Sequence, residues 1–259
     1  MFTIKICLTL FIVLLLTEIS KRVKPAVGGI LMGLPLGAGL STYFLAFEQG
    51  IPFLLEAIPG GIFGLSSSLL FSLSYYLADR WLVIKNRLLA SIVSSCISIL
   101  VYALISVGGR MLNLSLGSSL LITVTMIAGN LLVVRWLIPP SIKPPTKKLS
   151  FTLLFIRAAL TALTIAVITG IAHLIGPVWA GILSAFPIVL FQVLVFLHVE
   201  EGPQVYPGII TGFAYSVTNL LLFYLMLAFL LPKVGLNLTF LMVYVFSAIF
   251  LYLLNRVRH

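Results

Sequence analysis

Apolar residues in this chain come in runs of about twenty, set apart by short connections bearing charges, glycine or proline. Runs of that length match the hydrocarbon thickness an α-helix crosses, and they lack the strict alternation of barrel strands. The pattern predicts nine spans, at about 2–19, 26–46, 52–77, 87–107, 115–138, 151–175, 178–198, 205–231 and 236–255. The first is short enough to resemble a secretory signal, but Thr17-Glu18-Ile19-Ser20 offers no small-residue cleavage site, so it is read as a span.

The runs are not independent of one another. Residues 25–67 and 177–219 align without a gap, 152 positions apart, with 11 identities in 43 positions. Pro25, Gly29, Pro35, Glu48 and Gly50 recur as Pro177, Gly181, Pro187, Glu200 and Gly202. The period is far too long for a solenoid unit, so it reads as a duplicated half-protein. Spans two to four return as seven to nine and the first as the sixth, which leaves the fifth as an unpaired linker. Five crossings then separate the starts of the two halves, and the halves enter the membrane from opposite sides. The expected organisation is a first membrane repeat at 1–110, a linker helix and cytoplasmic loop at 111–150, and a second repeat at 151–259.

Composition agrees with this class. Of 259 residues, 61% are hydrophobic and 8% are charged, about a third of the charge a soluble domain carries. The net charge of +10 would suit nucleic acid in a soluble protein. Here the basic residues sit between apolar runs, which turns them into an orientation signal. With nine spans, thirteen fall on one side, and only Lys5, Arg110 and Lys233 on the other. The bias places the N-terminus outside and the C-terminus in the cytoplasm. Cys7 and Cys96 lie inside apolar runs without metal-ligand spacing and read as packing residues.

Four groups of residues are candidates for chemistry. Gly29 and Pro35 in span two match Gly181 and Pro187 in span seven. Proline removes a helix donor and clashes with the preceding turn, so both helices should kink or unwind there. In inverted-repeat carriers such paired breaks mark the substrate site, while small residues also serve close helix packing. Glu48 and Glu200 each end a span two residues before a glycine that caps it. A carboxylate at a helix C-terminus opposes the dipole and calls for a cation or a proton, which His198 could handle with Glu200. Lys5 and Arg157, at equivalent positions, would put one cation near each mouth. Ser67 and Asn219, also equivalent, belong to a polar stripe that either bridges helices or lines a hydrated path. No phosphate loop, zinc motif or serine elbow is present, so no enzyme activity, catalytic residue, metal or cofactor is expected.

The stretch Ala180-Gly181-Ile182-Leu183-Ser184-Ala185-Phe186-Pro187, followed by His198, Glu201-Gly202 and Gly212, resembles the GlpM group of small bacterial inner-membrane proteins. Those are about half this chain in size, so the sequence looks like a fused, duplicated version. The resemblance implies a bacterial-type inner-membrane location and carries no defined activity. Together these readings describe an all-α polytopic membrane protein of about nine transmembrane helices, two inverted four-helix repeats joined by a linker helix. The expected function is a small secondary transporter or lipid-type flippase; the alternative is a non-transporting scaffold or accessory subunit. The partners implied are membrane lipids, an unidentified small solute and, as an option, further copies of the chain, with no nucleic acid.

Overall fold

The structure, a computed structural model, describes residues 34–138, 151–200 and 202–258. Eight helices follow in order: α1 (Leu36–Gln49), α2 (Ile51–Leu82), α3 (Arg87–Met111), α4 (Leu116–Leu137), α5 (Phe151–Ser184), α6 (Ile188–Glu200), α7 (Pro207–Val234) and α8 (Leu236–Arg258). No strand occurs among the described residues. Among the described residues, six segments are long and apolar enough to cross a membrane: Ile51–Leu82, Arg87–Met111, Leu116–Leu137, Ala158–Ser184, Pro207–Val234 and Leu236–Leu254. A helix satisfies its own backbone, so this is the construction of an integral, multi-pass membrane protein. The expected first span and the proline-rich connection at 139–148 lie outside the described residues.

Several boundaries differ from the hydropathy reading. The expected span at 178–198 is two rods. Gly176, at φ 79°, turns the chain sharply inside α5. Pro177 then opens a short rod that ends at Ser184, and a new helix starts after Pro187. The described part of the expected 26–46 span begins as a helix only at Leu36, directly after Pro35. The expected 52–77 span runs on to Leu82. Hydropathy drops at Asp79 and Arg80, but both side chains find partners. Tyr206 donates to Asp79, and Arg80 donates to the Tyr76 hydroxyl at 2.8 Å.

The central helix is α2, which packs against α1, α3, α4, α5 and α7. Its most apolar window is 72% buried, against 33% for α3 and 22% for α4. The outer helices are built with polarity facing inward. On α3 the buried face is Ser91, Ser94, Ser98, Tyr102 and Ser106, while Leu88, Ile92, Ile99 and Leu104 are exposed. Lipid rewards that arrangement, because apolar side chains gain nothing by leaving it and small polar ones let helices approach. Cys96, expected as a packing residue, lies on the exposed face of α3.

One contact fixes the centre. Gly60, Gly64 and Ser68 recur at four-residue spacing on α2, forming a ridge of small residues. A Cβ on Gly60 would strike the Val178 carbonyl, and one on Gly64 would lie 2.8 Å from the Ile182 oxygen. From the other side, a Cβ on Gly181 would strike the Ala57 carbonyl. The 177–184 rod therefore lies backbone to backbone on α2. We predict that Gly181→Ala lowers thermal stability in detergent by about 1–3 kcal/mol, the usual cost of overpacking. Gly108, whose Cβ would meet nothing, is the control; Gly108→Ala should melt with the parent protein or slightly above it.

Candidate functional site

The two proline breaks share one hydrogen-bond pattern. The Leu36 N–H folds back onto the Leu34 carbonyl at 2.7 Å, and the Ile188 N–H onto Phe186 at 2.8 Å. The Gly39 N–H reaches the Pro35 carbonyl at 2.6 Å, and that of Phe191 reaches Pro187 at 2.8 Å. Each bond recurs 152 positions on. The carbonyls released at the end of the 177–184 rod are also met, as low dielectric demands. Tyr102 donates to the Ile182 carbonyl at 2.7 Å, and Ser68 donates to that of Ala185 at 2.7 Å. Ser184, in turn, bonds the Tyr224 hydroxyl at 2.9 Å.

Both breaks open on the same cavity, about 170 Å³, between α1, α6 and α7. Pro35, Ala38, Phe186, Pro187, Gly212 and Ser216 are among its walls. Most of the wall is apolar. Its polar elements are the Ser216 hydroxyl, which also donates to the Phe213 carbonyl at 3.0 Å, and the first turns of two helices. Residues 37, 38, 189 and 190 line it, and a first-turn N–H has no carbonyl of a preceding turn to bond. No side chain caps α1.

Beyond the cavity the seam continues toward the C-terminal ends of α2 and α6. Phe71 packs edge-on against Phe186 and Phe191, with ring centroids 5.5 and 5.8 Å apart. One turn further, Tyr75 meets His198, and one turn beyond that Asp79 does. The His198 Nε2 lies 3.2 Å from Asp79 Oδ1, and its Nδ1 lies 3.1 Å from the Tyr75 hydroxyl. Tyr75 also bonds Ser91 at 2.9 Å, and Tyr206 donates to Asp79 Oδ2 at 2.5 Å. His198 is 1% exposed and Asp79 11%. A carboxylate accepts only, so with neutral imidazole the Nε2 carries the proton and Tyr75 donates to Nδ1. Every polar atom of the cluster is then used. Burial, reinforced by the bond to Asp79, pushes the Tyr206 hydroxyl far above the ordinary tyrosine range.

The structure brings some expected residues together and separates others. Pro35 and Pro187 share the cavity. Gly181 lies on the α2 contact instead. Ser67 is buried and accepts from Ser106 at 3.3 Å, and Asn219 is buried on α7. Gly50 and Gly202 cap their helices at φ 92° and 94° as expected. Glu48 is half-buried and Glu200 exposed, and the carboxylate that meets His198 is Asp79. Gly29 and Lys5 lie outside the described residues, as does the side chain of Arg157. Asp79 and Tyr75 were not singled out from sequence. The available signal was the sole aspartate of the chain, four residues after a tyrosine and so on the same helical face.

Asp79→Asn keeps the shape but loses one acceptor facing two donors, and we predict a loss of about 1–3 kcal/mol in detergent melting. Tyr206→Phe should destabilise less. The raised Tyr206 value means its contribution is complete below about pH 10 and is lost as pH rises further, so the two proteins should converge in alkaline melts. No protein-family model, no curated protein and no solved structure matches this chain.

Proposed function

We propose that the protein is a small secondary transporter or lipid-type flippase, built from two inverted halves that rock about the cavity at the proline breaks. The observation that carries this reading is that Pro35 and Pro187, 152 positions apart, line one cavity. Paired interruptions meeting at a cavity are how inverted-repeat carriers bind cargo at mid-membrane. The rival reading as a scaffold calls for neighbouring helices in contact at that depth, with no space between them. The duplicated backbone bonds at the two breaks support the same ancestry for both halves.

The wall chemistry narrows the cargo. An apolar surface suits a hydrocarbon or ring body, and free first-turn donors suit a group that accepts hydrogen bonds. A small amphipathic solute or a lipid has both parts. By the distribution of lysine and arginine, the end holding Arg80, Lys85 and Arg87 faces the cytoplasm. The bacterial-type inner-membrane location and the kinship with the GlpM group belong to this proposal and rest on the residues quoted above.

Gly212 provides the test, because it lines the cavity and a Cβ there would meet nothing within 4 Å. Purified protein in vesicles should move members of a panel of fluorescent phospholipids and amphipathic organic anions. Gly212→Phe should melt with the parent protein yet lose most of that flux. Absence of flux across the whole panel, or undiminished flux in Gly212→Phe, contradicts the proposal.

A further inference from the structure

Tyr75, Asp79, His198 and Tyr206 each have a counterpart 152 positions away, and each counterpart is apolar. Tyr75 and Asp79 correspond to Leu227 and Leu231, His198 to Ala46 and Tyr206 to Leu54. All four counterparts are buried, at 0%, 1%, 4% and 1% exposure respectively. The equivalent positions are thus filled with hydrocarbon in one half and with a hydrogen-bonded acid, base and two phenols in the other. Well-packed apolar residues often replace a buried ion pair without loss of stability, and here the chain itself carries the apolar solution. Folding alone does not account for the polar set.

We infer that Tyr75, Asp79, His198 and Tyr206 form a proton-binding gate at one mouth of the carrier, and that the apolar counterpart makes the opposite mouth insensitive to protons. The inference deepens the transport reading and rests on it. With neutral imidazole the cluster holds one net negative charge, on Asp79, nearly out of water. A proton from water that binds His198 Nδ1 makes an imidazolium. The Tyr75 hydroxyl then turns from donating to Nδ1 to accepting from it, and directs its own proton to Ser91. The cation stays against Asp79, and the cluster becomes neutral overall. A neutral cluster tolerates burial better than a charged one, so protonation favours the closed mouth and deprotonation favours opening to water.

Few other charges face the pair. On α2, Arg80 turns away to Tyr76 and the Leu137 carbonyl. On α3, Arg87 lies against Gly202, whose Cβ would come 3.2 Å from its guanidinium carbon. On α6, Glu200 is exposed. Phe186 lines the cavity and packs with Phe191 against Phe71, one turn before Tyr75. Phe191 shares α6 with His198, so a motion of α6 that parts His198 from Asp79 also displaces Phe191 from this aromatic contact.

Leu194, fully buried one turn before His198, reports the opening. In full-length protein with Cys7→Ser and Cys96→Ser, the reactivity of Leu194→Cys toward a water-soluble thiol probe is measured from pH 5 to 9. It is normalised at each pH to the same chain denatured. Protection should fall as pH rises, by up to about tenfold per pH unit for one linked proton. Adding Asp79→Leu and His198→Ala, the residues of the other half, should leave a folded protein whose protection no longer varies with pH. Should that variant not fold, Asp79→Asn replaces it and should move the midpoint to lower pH. Protection that is flat in the parent chain, or an unchanged profile in the variants, overturns the gate. Linked protection without flux leaves the gate standing and removes the carrier reading; flux with flat protection does the reverse.

Discussion

A membrane offers no water to a broken helix, and the organisation of this protein follows from meeting that demand. The 177–184 rod stops inside the bundle and releases carbonyls that lipid would leave bare. Tyr102 and Ser68 donate to them, from α3 and α2. Those donors reach only because the rod lies against the glycine ridge of α2, which no side chain larger than hydrogen would allow at Gly60 or Gly181. Small residues, hydroxyl donors and proline breaks are parts of one solution. The cavity is the space the breaks leave on their other side.

The two ends of the seam are then treated differently. At the α2 and α6 C-terminal ends, a histidine and the sole aspartate are buried with two tyrosines. At the equivalent positions of the other half, leucines and an alanine pack into the core. On the proposed reading of a duplicated carrier, a polar set on one side only gives the bundle a direction, which a static support does not need.

Much of the architecture was legible in the sequence. Proline marked where α1 starts, after Pro35, and where the 177–184 rod gives way to α6, at Pro187, because its missing donor acts regardless of tertiary context. Gly50 and Gly202 marked helix ends through a backbone angle that favours glycine. The polar stripe that includes Ser67 and Asn219 was read as bridging helices or lining a water path, and on α2 Ser66 and Ser67 are bonded to Thr123 and Ser106; the inward serines of α3 were not singled out. The partner of His198 was not legible. Glu200 stands beside it in sequence, but two positions apart on a helix point about 200° around the axis from each other. Asp79 reaches it from another helix, and its position looked like a loop because hydropathy fell there. Periodicity finds what a residue does along its own helix; it does not find what meets it across a bundle.

Everything directional in this account requires the two halves to lie head over heels. Glu48 and Glu200 occupy equivalent positions, so Glu48→Cys and Glu200→Cys in a chain without other cysteines, labelled in intact cells by an impermeant reagent, report it most directly. The account predicts that position 48 reacts from outside and position 200 only after the membrane is opened. Labelling of both positions from the same side would contradict it.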